Sequence, residues 1–335
     1  MPRGARFTRF VFAASALLIA TAAVSLVRAQ QPAPAPPSPT QQKSQEPSGY
    51  AIQRDVNLVV LHASVVNARG QFVPGLKQES FRVFEDKVEQ KISLFHQEDV
   101  AVSLGLVIDN SGSMRDKVAQ VRTAALTFVK VSNPQDESFV VNFNDDFYLD
   151  TVNDFTSDIN EMKDALDRID SRGSTALYDA VIGSLDHLKK GHKDKKVLLV
   201  ISDGLDNASR RSLEDAVREA QRSDAVIYGI GIFSDEDLKQ NRSQMRKARG
   251  ALTELTTATG GLAFFPDTAD ETEALCTQIA HDIRNQYTIA YSPTNTSGDT
   301  KFRSVMVDVT PPKGMGKLAV RTRTGYFPRR AASGN

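Results

Sequence analysis

The apolar positions of this chain change period twice. Between Asp55 and Phe95 they come in short alternations: Val56, Leu58 and Val60, then Leu61, Ala63 and Val65, then the brief runs Phe81–Phe84 and Ile92–Phe95. Such alternation marks half-buried strands. The polar stretch Glu85–Gln90 separates the last two runs. From Ser103 to about Pro293 continuous apolar runs, Leu104–Ile108, Phe139–Phe143, Val197–Ile201 and Ala225–Ile232, suit strands covered on both faces. Between them apolar residues recur at helical spacing: Val118, Val121, Ala125 and Phe128; Ile159, Met162, Leu166 and Ile169; Leu177, Val181, Leu185 and Leu188; and, more briefly, Leu213, Val217 and Ala220. Ala251–Thr259, closed by Gly260 and Gly261, and Thr272–Asn285 predict two more helices. After Gln286 the alternation returns at Tyr287, Ile289 and Tyr291, at Val305, Val307 and Val309, and at Leu318, Val320 and Thr322.

Strand–helix alternation on this scale predicts an α/β unit, a doubly wound and mostly parallel sheet with helices on both faces. The short turn Asn144–Asp146 before Phe147–Thr151 predicts one antiparallel edge strand. The strands near the amino end are too few for a domain of their own. They are expected to pair with those after Gln286 in a small β-sandwich, in which the α/β unit is inserted or which flanks it. Two independent β-segments packed on the α/β unit are the alternative. The expected boundaries are 50–98 and 286–328 for the β-segments and 101–285 for the α/β unit.

The ends of the chain carry other signals. Arg3, Arg6 and Arg9 precede the apolar, Ala-rich stretch Phe10–Val27, and Val27-Arg28-Ala29 places small residues where a signal peptidase cuts. Residues 1–29 are therefore expected to be a secretory signal, which directs the protein to the periplasm, the cell envelope or the exterior. The apolar stretch is also just long enough for an uncleaved membrane anchor. Residues 30–48 hold Pro32, Pro34, Pro36, Pro37 and Pro39 and predict an extended linker, and residues 329–335 a disordered tail. The formal net charge is zero, so nothing in the total suggests nucleic acid. The single cysteine, Cys276, excludes an internal disulfide and a lipidated cysteine at the signal junction. Its helical pattern with Leu275, Ile279 and Ile283 makes it a small core residue.

Chemistry concentrates where the first long apolar run ends. Leu104–Ile108 stops at Asp109, and Ser111 and Ser113 follow at alternate positions on the loop at the strand's carboxyl end, where open α/β sheets bind ligands. Oxygen ligands suit a hard cation. By itself the pattern fits equally well a helix whose N-cap is Ser113. Two later pieces extend it: Thr175 on the loop that opens the helix from Leu177, and Asp203 just past Val197–Ile201.

Asp109, Ser111, Ser113, Thr175 and Asp203 together resemble the metal-ion-dependent adhesion site of the von Willebrand factor type A domain. The flanking β-segments more narrowly resemble secreted acidobacterial proteins related to that family. The resemblance implies one Mg²⁺ (or Mn²⁺ or Ca²⁺), bound directly by the three hydroxyls and mostly through water by the two aspartates. One coordination position stays open to an Asp or Glu of a partner protein. In integrin β-subunits of this superfamily two adjacent aspartates help hold a second cation. Here Asp116 matches the first and Lys117 stands at the second, so one cation is expected.

The function that follows is a secreted or envelope adhesion or assembly module rather than an enzyme. A structural module with an empty site is one alternative. Metal-dependent hydrolysis is another, but it needs a general base. The histidines lie outside the motif loops, and Asp206, which could serve in principle, reads better as a solvated loop aspartate. The loops expected on the metal face are basic: Arg115, Arg172, Arg210 and Arg211, and in the long segment after Ile232 also Lys239, Arg242, Arg246, Lys247 and Arg249. They form either a solvated surface, with Asp235, Glu236 and Asp237 cancelling much of the charge, or a basic rim for an acidic partner segment.

Overall fold

Alternate residues of the central strands serve two different cores. Leu104, Leu106 and Ile108 join Val197, Leu199 and Ile201 in one buried cluster, while Val107, Leu198 and Val200 face the opposite way into another. In this computed structural model, which describes residues 58–97, 99–168, 171–234, 239 and 241–328, those strands are β5 (Val102–Asp109) and β8 (Lys195–Ser202). They lie side by side in a six-stranded sheet with β6 (Glu137–Phe143), β7 (Phe147–Leu149), β9 (Ala225–Gly231) and β10 (Ala263–Phe264). The order is β10-β9-β8-β5-β6-β7. All pairings are parallel except β6 with β7, the hairpin expected from the Asn144–Asp146 turn.

Helices cover both faces. α1 (Val118–Val131), α2 (Ile159–Asp167) and α6 (Ala269–Asn285) pack on one, and α3 (Leu177–Leu188), α4 (Leu213–Arg222) and α5 (Arg242–Thr259) on the other. Side chains of Asp158, Ser212 and Thr268 cap α2, α4 and α6 by accepting from backbone N–H groups of the first turn. Cys276 is a buried core residue of α6.

The remaining strands form two antiparallel sheets. One has the order β13-β1-β11-β4, from β1 (Val59–Asn67), β4 (Ile92–His96), β11 (Tyr287–Tyr291) and β13 (Leu318–Arg321). The other, β14-β12-β2-β3, comprises β2 (Phe81–Glu85), β3 (Val88–Gln90), β12 (Arg303–Val309) and β14 (Gly325–Tyr326). Strands before and after the α/β unit are therefore neighbours in both. The sheets share one apolar cluster, with Leu61, Ala63 and Val65 of β1, Tyr287 and Ile289 of β11, Val83 of β2 and Val305 and Val307 of β12. Within it Glu85 accepts hydrogen bonds from the Tyr291 and Tyr326 hydroxyls and from Arg303.

Several elements differ from expectation. The polar stretch Glu85–Gln90 is not a plain separator: Asp86 and Lys87, both at positive φ, turn β2 directly into β3. The Asp86 carboxylate accepts from the Ser304 N–H and hydroxyl and holds that turn. α5 starts at Arg242 rather than Ala251, because Met245 and Ala248 extend the buried stripe of Leu252 and Leu255 through a run of bases. Gly260 ends it in the left-handed conformation, φ 87°, as the sequence implied. The edge strand β10 has only two residues and no readable period. The expected signal, linker and tail, together with Val56, Ile169 and Asp235–Asp237, lie outside the described residues. No helix among the described residues is long and apolar enough to cross a membrane.

Candidate functional site

Three loops meet at the carboxyl ends of β5 and β8. The first leaves β5 at Asp109 and makes a 3-10 turn, Gly112–Lys117, before α1. Met114 inside that turn is fully buried and ties the loop to the core, whereas Ser113 is exposed. The second, residues 171–176, lies against the first: Arg172 N–H donates to Asn110 O at 3.0 Å and Gly112 N–H to Gly173 O at 3.1 Å. Gly173 has φ +75°, a left-handed conformation that favours glycine, and a Cβ there would displace the Asp145 carboxylate. The third follows β8 through Ser202, Asp203 and Gly204.

Hydrogen bonds lace the second and third loops together. Asn207 and Ala208 N–H groups donate to Thr175 O, and Thr175 N–H donates to Asn207 Oδ1 at 2.8 Å. The start of α3 is capped from across the gap, since Tyr178 N–H donates to Asp206 and Ser209. In return the Asp179 carboxylate accepts from the Arg210 and Arg211 N–H groups. Thr175 is thereby fixed relative to Asp203 by backbone rather than by its own side chain.

Asp109 and Asp203 are each 1% exposed. Asp109 is the last residue of a buried strand rather than part of the loop that follows it. Its Oδ1 accepts from Ser111 N–H at 2.9 Å and its Oδ2 from the Ser202 hydroxyl at 2.5 Å. Burial, and next the charge of Asp203, push the Asp109 carboxyl up to about 7. Asp203 Oδ1 accepts from Leu205 N–H at 3.2 Å, and its Oδ2 lies 3.8 Å from the ammonium of Lys117, which is 6% exposed. Ser111 and Ser113 hydroxyls are 3.1 Å apart. The residues preceding the 3-10 turn and α1, Ser111 and Lys117, make no side-chain cap, so the Ser111 hydroxyl is not spent on one.

Ser202 and Lys117 are the two site residues that sequence reasoning missed as such. Ser202 was legible only as the polar end of an apolar run. Lys117 stands in the sequence only as a departure from a second cation site, and no local pattern there signals that it turns inward.

Asp206 is engaged by Tyr178 N–H and by the Ser209 hydroxyl at 2.6 Å, which accounts for it as a structural acceptor. His187 packs on Phe139 and Phe155, and His192 contacts Glu137, both away from these loops. Among the described residues no cluster of three or more His, Cys, Asp or Glu side chains is placed to hold a metal. A cation here would rest on the mixed set of two carboxylates and neighbouring hydroxyls.

The basic residues divide. Arg115 is exposed on the 3-10 turn and Arg172 on the adjoining loop. Arg242, Arg246 and Lys247 project from the exposed face of a helix rather than from a loop, and Lys247 borders a 340 Å³ pocket with Tyr178, Asp206 and Asn207. Arg210 and Arg211 line a groove of about 1090 Å³ along α3 and α4 that reaches Lys193 and Asp224 at the far ends of those helices. Arg249 is half-buried, and its guanidinium lies over the rings of Phe233 and Phe265, at 5.1 and 4.7 Å.

Residues 104–205, which span this site, match the family model described as von Willebrand factor type A domain. The matched segment lies within the central α/β unit, which is thus similar to that family over residues 104–205. No curated protein matches the chain. Among solved structures it is similar to von Willebrand factor type A from Catenulispora acidiphila (12% identity, 81% of this chain and 74% of that one, TM-score 0.49). It is also similar to the conserved hypothetical protein BatB from Bacteroides thetaiotaomicron (16% identity, 55% and 98%, TM-score 0.45). A third is the vWF domain of the type V pili tip protein Mfa5 from Porphyromonas gingivalis (14% identity, 55% and 97%, TM-score 0.45).

Proposed function

We propose that this protein is an adhesion or assembly module of the cell envelope or exterior. In this reading its type A unit holds one divalent cation, of the Mg²⁺ class, and presents it to an acidic side chain of a partner protein. The observation that carries the reading is the pair of buried carboxylates, Asp109 and Asp203, set beside the hydroxyls of Ser111 and Ser113 and the Thr175 loop. Two adjacent buried acids repel each other, and a cation between them is the ordinary compensation. Oxygen donors alone select a hard ion. The hydroxyls are neutral and add no negative charge to that of the two aspartates, which leaves a coordination position open to a partner's carboxylate.

A non-catalytic role accords with the surroundings of the site. A hydrolytic route would need a general base near the bound water, and Asp206 is already tied to Tyr178 and Ser209. An exported location rests on the Arg-rich, apolar and Val-x-Ala pattern of residues 1–29.

Calorimetric titration of the full chain with Mg²⁺ tests the site: one ion bound by the wild type and none by Asp109→Ala is expected. Unchanged affinity in that variant overturns the reading. Pull-down from envelope extract should retain a partner in Mg²⁺ and lose it in chelator; retention indifferent to chelator removes the cation from the contact. N-terminal sequencing of the native protein should begin at Gln30, whereas a membrane-bound chain retaining residue 1 makes the segment an anchor.

A further inference from the structure

Among the described residues, Lys117 is the one basic side chain that the cation site keeps inside. Its neighbours Arg115 and Asp116 are exposed, whereas Lys117 is buried with its ammonium 3.8 Å from Asp203 Oδ2. Two features of the fold put it there. The 3-10 turn Gly112–Lys117 is tighter than an α-helix, with three residues per turn, so Lys117 falls on the same side as the buried Met114. Asp203 follows directly on the last residue of β8, in a turn tied by the Gly204 N–H donating to Ser202 Oγ, and its carboxylate there meets the Lys117 head.

We propose that Lys117 sets the charge of the cation site, which it does by remaining beside Asp203 when the ion is bound. The inference rests on the functional reading above. Asp109 and Asp203 together would cancel a divalent charge and leave a neutral centre with little attraction for another carboxylate. With Lys117 in place the loaded centre keeps one net positive charge, and an acidic side chain of a partner balances it. The same ammonium relieves the repulsion between Asp109 and Asp203 in the ion-free protein and opposes entry of the ion. Lys117 thus lowers cation affinity and raises carboxylate affinity. It is a specificity-determining residue that acts through charge, at a position where burial leaves little water to screen it.

The test compares the full chain with Lys117→Met, which removes the charge at nearly constant volume, and Lys117→Arg, which keeps it. Lys117→Gln replaces the Met variant if that one does not fold. Mg²⁺ titration should give tighter binding in Lys117→Met by about 10-fold, with Lys117→Arg close to wild type. With Mn²⁺ as the bound ion and acetate as the carboxylate probe, displacement of metal-bound water is read by proton relaxation. Acetate affinity should fall by about 10-fold in Lys117→Met and hold in Lys117→Arg. If Lys117 serves only to pack the loop, Lys117→Met will lose stability with Mg²⁺ and acetate affinities unchanged, and that result overturns the proposal. Absence of any Mg²⁺ binding by the wild type instead defeats the functional reading itself.

Discussion

The Ser202 hydroxyl donates to Asp109 Oδ2 at 2.5 Å across two adjacent parallel strands. Ile108 and Ile201 are register partners, so Asp109 and Ser202 are the next residues on β5 and β8. Ser202 Oγ also accepts from Gly204 N–H at 2.9 Å, which ties the carboxylate to the turn carrying Asp203. Ser202→Ala should leave the fold intact and weaken Mg²⁺ binding by roughly 10-fold, the usual cost of losing a group that orients a metal ligand. Calorimetry of the variant checks this, and wild-type affinity would show that the hydroxyl does not orient the ligand.

The basic face of α5 gives a kinetic prediction. Arg242, Arg246 and Lys247 are exposed there, and exposed charges at the edge of an interface act mainly on encounter. Changing all three to Glu should slow association with the captured partner and flatten its salt dependence, with dissociation and Mg²⁺ binding little changed. Surface plasmon resonance at several ionic strengths decides the matter. An association rate indifferent to both the charge reversal and the salt would reduce these residues to a solvated surface.

Lys195, at the start of β8, is 3% exposed and donates to the Ile283 carbonyl of α6. Burial is the main cause that lowers its ammonium from 10.5 to about 7, against the opposing attraction of Asp282. A folded value below the unfolded one means that the unfolded chain binds the extra proton between those limits. Stability contributed by this group therefore rises with pH from about 7 to 10.5, with a slope of at most about 1.4 kcal/mol per pH unit. Urea unfolding of the wild type and of Lys195→Met across that range should show the difference between them shrinking as pH rises. Parallel curves would mean that Lys195 is charged in the fold throughout.

Glu85 and Arg303 form a buried ion pair in the sandwich, 3.1 Å apart, 2% and 5% exposed. Arg303→Met leaves the carboxylate with only the Tyr291 and Tyr326 hydroxyls as partners. The expected loss is about 3–5 kcal/mol, because a charge stays buried without its counter-ion. Adding Glu85→Gln should restore part of that loss. Urea unfolding of the single and double variants measures both, and additive losses would exclude coupling between the two residues.

Most of what is local in this fold follows from residue order. Apolar runs of strand length require cover on both faces, which makes the central strands and the order of helices between them readable. The positions of Asp109, Ser111, Ser113, Thr175 and Asp203 at strand and helix ends were readable for the same reason. Elements whose formation depends on distant partners were not. The Asp86–Lys87 turn is held by Ser304, more than 200 residues away in the chain, and β10 exists because β9 offers an edge. The early start of α5 was hidden by its bases, which sit on the face away from the core.

The environment of the site is a product of long-range packing. Sequence spacing told that two aspartates could share one edge of the sheet, but desolvation depends on what surrounds them, and that is set by three loops joined through Gly173, Asn207 and Asp179. The inward turn of Lys117 and the strand register that brings Ser202 to Asp109 arise in the same way. Periodicity records which face a residue shares with its neighbours along the chain, whereas the charge balance of a buried site is fixed by residues brought together from 86 to 93 positions apart.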